Sequence, residues 1–338
     1  MKGNQVTIKD IARQLGVSAS TVSRALQGHP DISEETKRAV NDLAAKLKYQ
    51  PNAIALSLKN QRTRIIGVII PEIVHYFFSS VISGIEDVAY NAGFNVIICQ
   101  SNEKFDRELS NVKTLIAQRV DGILVSISKE TIDFQHLQQI VNNQIPLVFY
   151  DRVAPGIFAD QVIINDMEAA YQATKHMIDQ GRKRIAHFAG PQNLLIGQQR
   201  KEGYLKAVRE AGLEVDPRYI VEADNYEKAQ RAILNFVTEG NLPDGIFSVN
   251  DITAIGAMKG LQKQGFKIPD DVALVGFSDG RFSGITEPSL SSVDQHGYEM
   301  GITATEMLLK RILENKTDYP PETKVLEGDL IIRGSSRL

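Results

Sequence analysis

One cysteine, Cys99, stands in 338 residues, so no internal disulfide can form and a cysteine-rich metal site is excluded. The six histidines are scattered with no HxxxH pair, and no metal is expected. Long apolar runs are missing as well. The longest, such as IIGVII at 65–70, are far too short to cross a bilayer. The opening MKGNQVTIKD is polar and has no apolar signal core, so a cytoplasmic location is expected. Neither a GxGxxG after a strand nor a GxxxxGK(S/T) occurs, which removes the phosphate cradle of dinucleotide enzymes and P-loop NTPases. No cofactor is expected. Gly276-Phe277-Ser278-Asp279-Gly280 does match the GxSxG nucleophile elbow, but that elbow needs a helix directly after its serine. Here RFSGITEPS follows, with Gly284 and Pro288, and reads as loop. A hydrolase is not expected.

What is present is ordinary globular composition, 43% hydrophobic and 23% charged, over a length that suggests roughly two to three domains. The net charge of −3 hides an asymmetry. Residues 1–64 hold eleven lysines and arginines against five acids, a balance of +6 that leaves −9 on the rest. A basic head on an acidic body is the footprint of a DNA-binding module attached to something that should stay off DNA.

That head contains TIKDIARQLGVSASTVSRALQG at 7–28. Thr7 can cap a helix whose Ile8, Ile11, Ala12 and Leu15 share a face. Gly16 supplies a left-handed turn and Val17 enters the core. Ser18 caps a second helix, Ala19 to Leu26, with Val22, Ala25 and Leu26 inward and Ser20, Thr21, Ser23 and Arg24 outward. Small hydroxyls with one arginine suit phosphate contacts and base-edge readout in a major groove. The same pattern also describes a surface helical hairpin; its coincidence with the basic excess favours DNA. Ser33, Glu34 and Glu35 open a third helix to about Leu47. Tyr49-Gln50-Pro51 breaks it. The segment NAIALSLKN is then barely two helical turns long and needs DNA or a partner chain to order it.

From Ile65 apolar runs alternate with helical patterns. The first series is IIGVII, helix 77–92, FNVIIC, helix 104–118, DGILVSI, helix 133–142 and IPLVFY. The second is VIIN, helix 167–180, RIAHFAG, helix 198–211, YIVEA, helix 226–239, DGIFSV, helix 252–264 and VALVGF. Continuous Val/Ile/Leu runs between helices mean parallel sheets covered on both faces. Two such series make two doubly wound subdomains, with ligands at the carboxyl ends of the strands. SLSSVDQ, helix 297–314 and LEGDLIIRG then return across both.

The order VTIKDIARQLGVSASTVSRALQG, LKYQPNAIALSL, GVIIP and two α/β lobes resembles the LacI family of bacterial transcription regulators. Short motifs such as GPQNLLIGQQRKEGY, VNDITAIGAM, PDDVALVGF and EPSLSSVDQ extend the likeness over essentially the whole chain. The resemblance implies an α helix-turn-helix headpiece at 1–50, a hinge helix and linker at 51–64, and an α/β core at 65–338. Its two parallel-sheet lobes, of the periplasmic-binding-protein type, would span about 65–164 with 293–325, and 165–292 with 326–338. Crossovers are expected near Asn165, Ser292 and Leu326. By the same similarity Ala19, Ser20 and Arg24 occupy base-reading positions, with Arg24 expected on a guanine. Thr7, Ser18, Thr21, Ser23, Tyr49 and Asn52 would contact phosphate or dock the headpiece. Asn52, Ala55, Leu58 and Lys59 fit the hinge, where leucines of two chains wedge into the minor groove.

For the core the resemblance implies effector contacts. Arg200 corresponds to the family arginine whose fork grips vicinal hydroxyls or a carboxylate. Asn250, Arg152 and Asp166 lie at strand ends, and Tyr76, Phe77 and Phe78 offer aromatic faces. Many relatives carry an acid directly after the VGF strand; here Ser278 stands there, with Asp279 next. Arg152 and Arg200 together suit an acidic sugar or another anion. Plainer roles are open too: Arg200 pairing with Glu202, Asp166 and Asp251 as helix caps, the aromatics as core. The expected protein is a homodimeric regulator on a near-palindromic operator, controlled by a small molecule of the carbohydrate class. Rivals are a family member answering to a phosphoprotein or a non-sugar metabolite, and a plain solute-binding protein, which would lack the basic head.

Overall fold

The computed structural model describes residues 6–49, 62–314 and 320–337, and the chain divides into two compact units, Met1–Thr63 and Arg64–Leu338. In the first, α1 (Ile8–Leu15), α2 (Ala19–Leu26) and α3 (Glu34–Lys46) close around Ile11, Val22 and Val40, none of which touches solvent. The Asp10 carboxylate accepts from the backbone N–H and hydroxyl of Thr7, satisfying an orphan donor at the first helix entry. Ser18 and Ser33 cap α2 and α3 by accepting from Thr21 N and Thr36 N. Gly16, at φ 64°, makes the left-handed exit from α1 that a side chain would strain.

The second unit carries two lobes. In one, β1 (Ile65–Ile70), β2 (Asn95–Gln100), β3 (Gly122–Val125), β4 (Leu147–Tyr150) and β5 (Asp160–Ile164) are linked by helices Tyr76–Asn91, Phe105–Ala117 and Gln135–Asn142. The other contains β6 (Ile185–Ala189), β7 (Ile220–Glu222), β8 (Gly245–Ser248), β9 (Ala273–Phe277) and β10 (Ser291–Asp294), with helices Asp166–Asp179, Leu195–Glu210, Tyr226–Thr238 and Asp251–Lys263. Helix Gly297–Glu314 returns to the first lobe. Then β11 (Thr323–Leu326) joins the first sheet and β12 (Asp329–Ile331) the second.

The sheets run β11-β5-β4-β3-β1-β2 and β12-β10-β9-β8-β6-β7. All pairings are parallel except β10 with β12. Every residue of β3, β4, β6, β8 and β9 is buried, as sheets covered on both faces require. Helices pack closely as well: a Cβ on Gly301 would lie 2.1 Å from the Val81 carbonyl oxygen of helix Tyr76–Asn91.

Two expectations need correction. The VIIN strand, grouped above with the second series, belongs to the first sheet, where it pairs with β4 and β11; the expected first lobe already runs to 164, so only the grouping changes. The second crossover comes later than Ser292, because Val293 still pairs with Phe277 and Asp294 with Asp329. The first error arises because apolar patterning marks a strand without naming its sheet; the second is a shift of two or three residues in a position taken from the resemblance.

Candidate nucleic-acid interface and effector cleft

On the headpiece, α2 turns Val22 and Ala25 inward and leaves Ser20 and Arg24 exposed. Ser18 Oγ lies 2.7 Å from Ser20 Oγ and 2.8 Å from Thr21 Oγ1. The helix entry is thus a small hydroxyl cluster, with Ser23 half-buried beside it. Ala19 and Tyr49 are half-buried and pack against the headpiece core, so both shape the module from within. Thr7 is exposed and tied to Asp10. Asn52, Ala55, Leu58 and Lys59 lie outside the described residues.

In the core, the strand ends of both lobes enclose a cavity of about 480 Å³. Phe77, Phe78, Arg152, Arg200, Asn250 and Ser278 all line it. Tyr76 and Asp279 line a neighbouring cavity of about 370 Å³ instead, sharing Phe77 and Ser278 as its wall. Asp166 is buried behind Arg200.

Arg200 is held from three sides. Nε donates to Asp166 Oδ1 at 2.7 Å and Nη1 to the Val249 carbonyl at 2.7 Å, while the guanidinium sits 3.8 Å from the Phe277 ring centre. Its acidic partner is therefore Asp166, from the other helix, and not the adjacent Glu202. Burial pushes the Asp166 carboxyl up to about 6, against the pull of Arg200, because desolvation of a charge outweighs one partner. Asn250 caps helix Asp251–Lys263, accepting from Thr253 N at 2.8 Å, and gives its amide to the Asp224 carbonyl at 3.2 Å. Asp251 follows it inward, buried, accepting from Gly280 N, Ser283 Oγ and Ser292 Oγ. It anchors the loop after β9.

Ser278 opens that loop at φ 111° and donates its hydroxyl to Gln295 Oε1 at 2.7 Å. Asp279 faces the other way, bound through both oxygens by Arg333 at 2.5 and 3.0 Å. Its assignment to the effector site gives way to a structural ion pair. His296 meets Asp329 and Asp294, not Ser278, and turns rather than a helix follow the serine.

Arg152 is similarly engaged: Nη1 lies 2.9 Å from each oxygen of Glu103. Glu103, Asp151, Lys129, Asp224, Leu194 and Gln295 also line the cavity, and the sequence reading missed them all. Asp151 had a usable signal, since it ends the FYD strand beside Arg152. The Asp151 carboxyl is raised by burial, partly offset by Arg152 and Arg200. With Asp224 bound to Lys129 and Lys228, each cation of the cleft already faces a carboxylate. The two arginines therefore form no anion trap, and the expectation of an acidic ligand loses its basis.

Behind Arg200, His187 is fully buried between Tyr204 and Phe247, ring centres 5.4 and 4.9 Å away. Its Nδ1 donates to the Phe247 carbonyl at 3.2 Å, and burial pushes it down to about 4. A depressed histidine contributes stability that is full above pH 6.5 and lost as pH falls toward 4. The raised carboxyls of Asp166 and Asp251, each about 6, act oppositely: their contribution is full below about pH 4 and fades as pH rises through 6. His187→Gln should therefore lose less stability than the parent between pH 6.5 and 4.5, as read by melting temperature. Parallel pH profiles would refute the neutral buried histidine.

Among the described residues no helix is long and apolar enough to cross a membrane. Residues 7–52 match the family described as bacterial regulatory proteins, lacI family. Residues 63–328 match periplasmic binding proteins and sugar binding domain of LacI family. The chain is 33% identical over 332 residues to the HTH-type transcriptional repressor PurR of Actinobacillus pleuropneumoniae serotype 3 (strain JL03), covering 98% of each chain. It is 33% identical over 315 residues to catabolite control protein A of Priestia megaterium, covering 93% of this chain and 94% of that one. Among solved structures it resembles a transcriptional regulator CelR–cellobiose complex, with TM-score 0.74 and 27% identity over 98% of this chain and 99% of that one.

Proposed function

Because the chain belongs to the LacI family of bacterial regulatory proteins, repressors with a DNA-binding headpiece and an effector-binding core, we propose that its effector is an uncharged, polyhydroxylated molecule of the sugar class. The observation that carries this reading is the charge balance of the cleft. Glu103 occupies Arg152, Asp166 occupies Arg200, and Asp224 occupies Lys129. A ligand carrying its own negative charge would have to displace one of these carboxylates. Hydroxyl groups need not, since Arg200 Nη2, Asn250 and Gln295 can meet them as donors and acceptors. The cellobiose-bound neighbour supports a sugar. A thermal-shift screen tests it: neutral sugars should raise the melting temperature while uronates and phosphosugars leave it unchanged. Stabilisation by the anions alone would overturn the reading.

On DNA the reading assigns direct readout chiefly to Arg24, with phosphate contacts from the hydroxyls around Ser18. Leu58 keeps its place in the proposal as the minor-groove wedge. Two copies would pair across a near-palindromic operator; the exposed Ile97 and Ile98 on edge strand β2 offer apolar surface for that pairing. The protein acts in the cytoplasm, on the nucleoid, and catalyses nothing. Effector coupling of about 1–3 kcal/mol would change operator affinity roughly 5- to 150-fold. Specific binding should weaken roughly tenfold or more between 50 and 200 mM salt, and Arg24→Ala should erase preference at one base pair per half-site. Fluorescence anisotropy on operator and scrambled duplexes measures both, and an Arg24→Ala protein with unchanged preference would remove that residue from the reading interface.

A further inference from the structure

The hydrogen bonds described between the two lobes gather in two places. One is the crossovers themselves, where Ser278 meets Gln295 and His296 meets Asp329. The other is the opposite lip of the cleft, and there the bonds converge on Lys129. Its Nζ lies 3.2 Å from Asp224 Oδ2, and its carbonyl accepts from Asn193 Nδ2 at 2.8 Å. Both partners belong to the second lobe, in the loops after β7 and β6. Next to Asn193, Leu194 is 3% exposed, yet the hydrophobic cluster it joins is that of the first lobe, with Ile127, Val153 and Ala154. Ile196 packs against the same cluster. The second lobe thus inserts an apolar plug into the first, ringed by an ion pair and a hydrogen bond.

Lys129 is well placed for this. Its backbone N–H donates to Glu103 Oε2 at 2.8 Å, the same carboxylate that engages Arg152, and the preceding Ser128 N is fixed by buried Glu108 at 2.6 Å. The receiving lip is therefore rigid, and Asp224 is steadied from its far side by Lys228 at 2.7 Å.

We infer that Leu194, Asn193 and Lys129 form a clasp that draws the two lobes together through the chain's own residues. The inference rests on reading the cavity as the effector cleft. A ligand can shift a conformational equilibrium only by its differential affinity for the two states, so the clasp sets how much of the closing an effector still has to do. It also places the pair Lys129–Asp224, rather than the effector, in control of the resting lobe angle.

Lobe separation can be read without effector or DNA, which keeps this test apart from the tests of operator and ligand binding. Nitroxide labels at Gln139→Cys and Asn235→Cys, one on each lobe, are placed in the full chain carrying Cys99→Ser. Diluted into an excess of unlabelled chain, so that a dimer holds one labelled protomer, pulsed electron–electron double resonance should give a single narrow distance. Lys129→Met combined with Leu194→Ala should lengthen the mean by more than about 2 Å and broaden it. Lys129 is 39% exposed, so Lys129→Met alone should fold normally and give a smaller change of the same sign. Salt at about 1 M should widen the parent but not Lys129→Met, since it screens the pair. A double variant whose distances superimpose on the parent's, or a parent that is already broad, would overturn the clasp.

Discussion

Arg200→Ala should destabilise the core by about 3–5 kcal/mol, the usual cost of stranding one member of a buried ion pair. Arg200 and Asp166 are both nearly inaccessible, at 5% and 2% side-chain exposure. Removing the guanidinium leaves the carboxylate with no countercharge and the Val249 carbonyl without its donor. The Phe277 ring also loses the cation lying on its face. The loss should grow as pH rises through 6, because an unpaired Asp166 is held more strongly in its neutral form. Asp166→Asn in the Arg200→Ala background should recover a large part, since an amide needs no countercharge. Urea unfolding of the three variants at pH 5 and pH 8 measures this. A single variant costing under about 1 kcal/mol would mean that the pair is a solvated one. Loss of the effector response alone, at full stability, would likewise contradict the geometry.

Much of the architecture was legible because parallel strands buried on both faces write themselves as unbroken Val/Ile/Leu runs, as IIGVII and VALVGF do. The helix-turn-helix was legible for a different reason. Its caps, its left-handed glycine and its inward face all fall within 22 residues, so local chemistry suffices. The cleft was only half legible. Arg200 stood out through its motif, but its partner Asp166 is 34 positions earlier, and no periodicity couples the two. Asp279 was misplaced because a strand-end acid reads as a ligand contact until the chain's own Arg333, 54 residues on, is seen to hold it. Lys129 was invisible. A lone lysine in SISKET carries no pattern, and only folding brings Asp224 and Asn193 to it.

Glu108→Ala should cost the first lobe about 2–6 kcal/mol, the sum for the buried donors it strands, although Glu108 touches no ligand surface. The residue sits on helix Phe105–Ala117 with no solvent exposure and serves as acceptor for three donors. Ser128 N reaches Oε2 at 2.6 Å, while Thr131 Oγ1 and His136 Nε2 reach Oε1 at 2.9 and 2.8 Å. Alanine would leave the Ser128 amide and the His136 ring as buried donors without an acceptor, each costing roughly 1–3 kcal/mol. Glu108→Gln separates charge from hydrogen bonding. Its carbonyl oxygen can still accept, but its amide group would point a donor at a donor, so about half the loss should remain. The loop 128–131 would be freed in both variants, and with it the Lys129 lip. Hydrogen exchange should therefore speed at Ser128 and Lys129 well before global unfolding, while the headpiece keeps the parent's protection. If the loop stays protected in Glu108→Ala, something other than this carboxylate holds the lip in place.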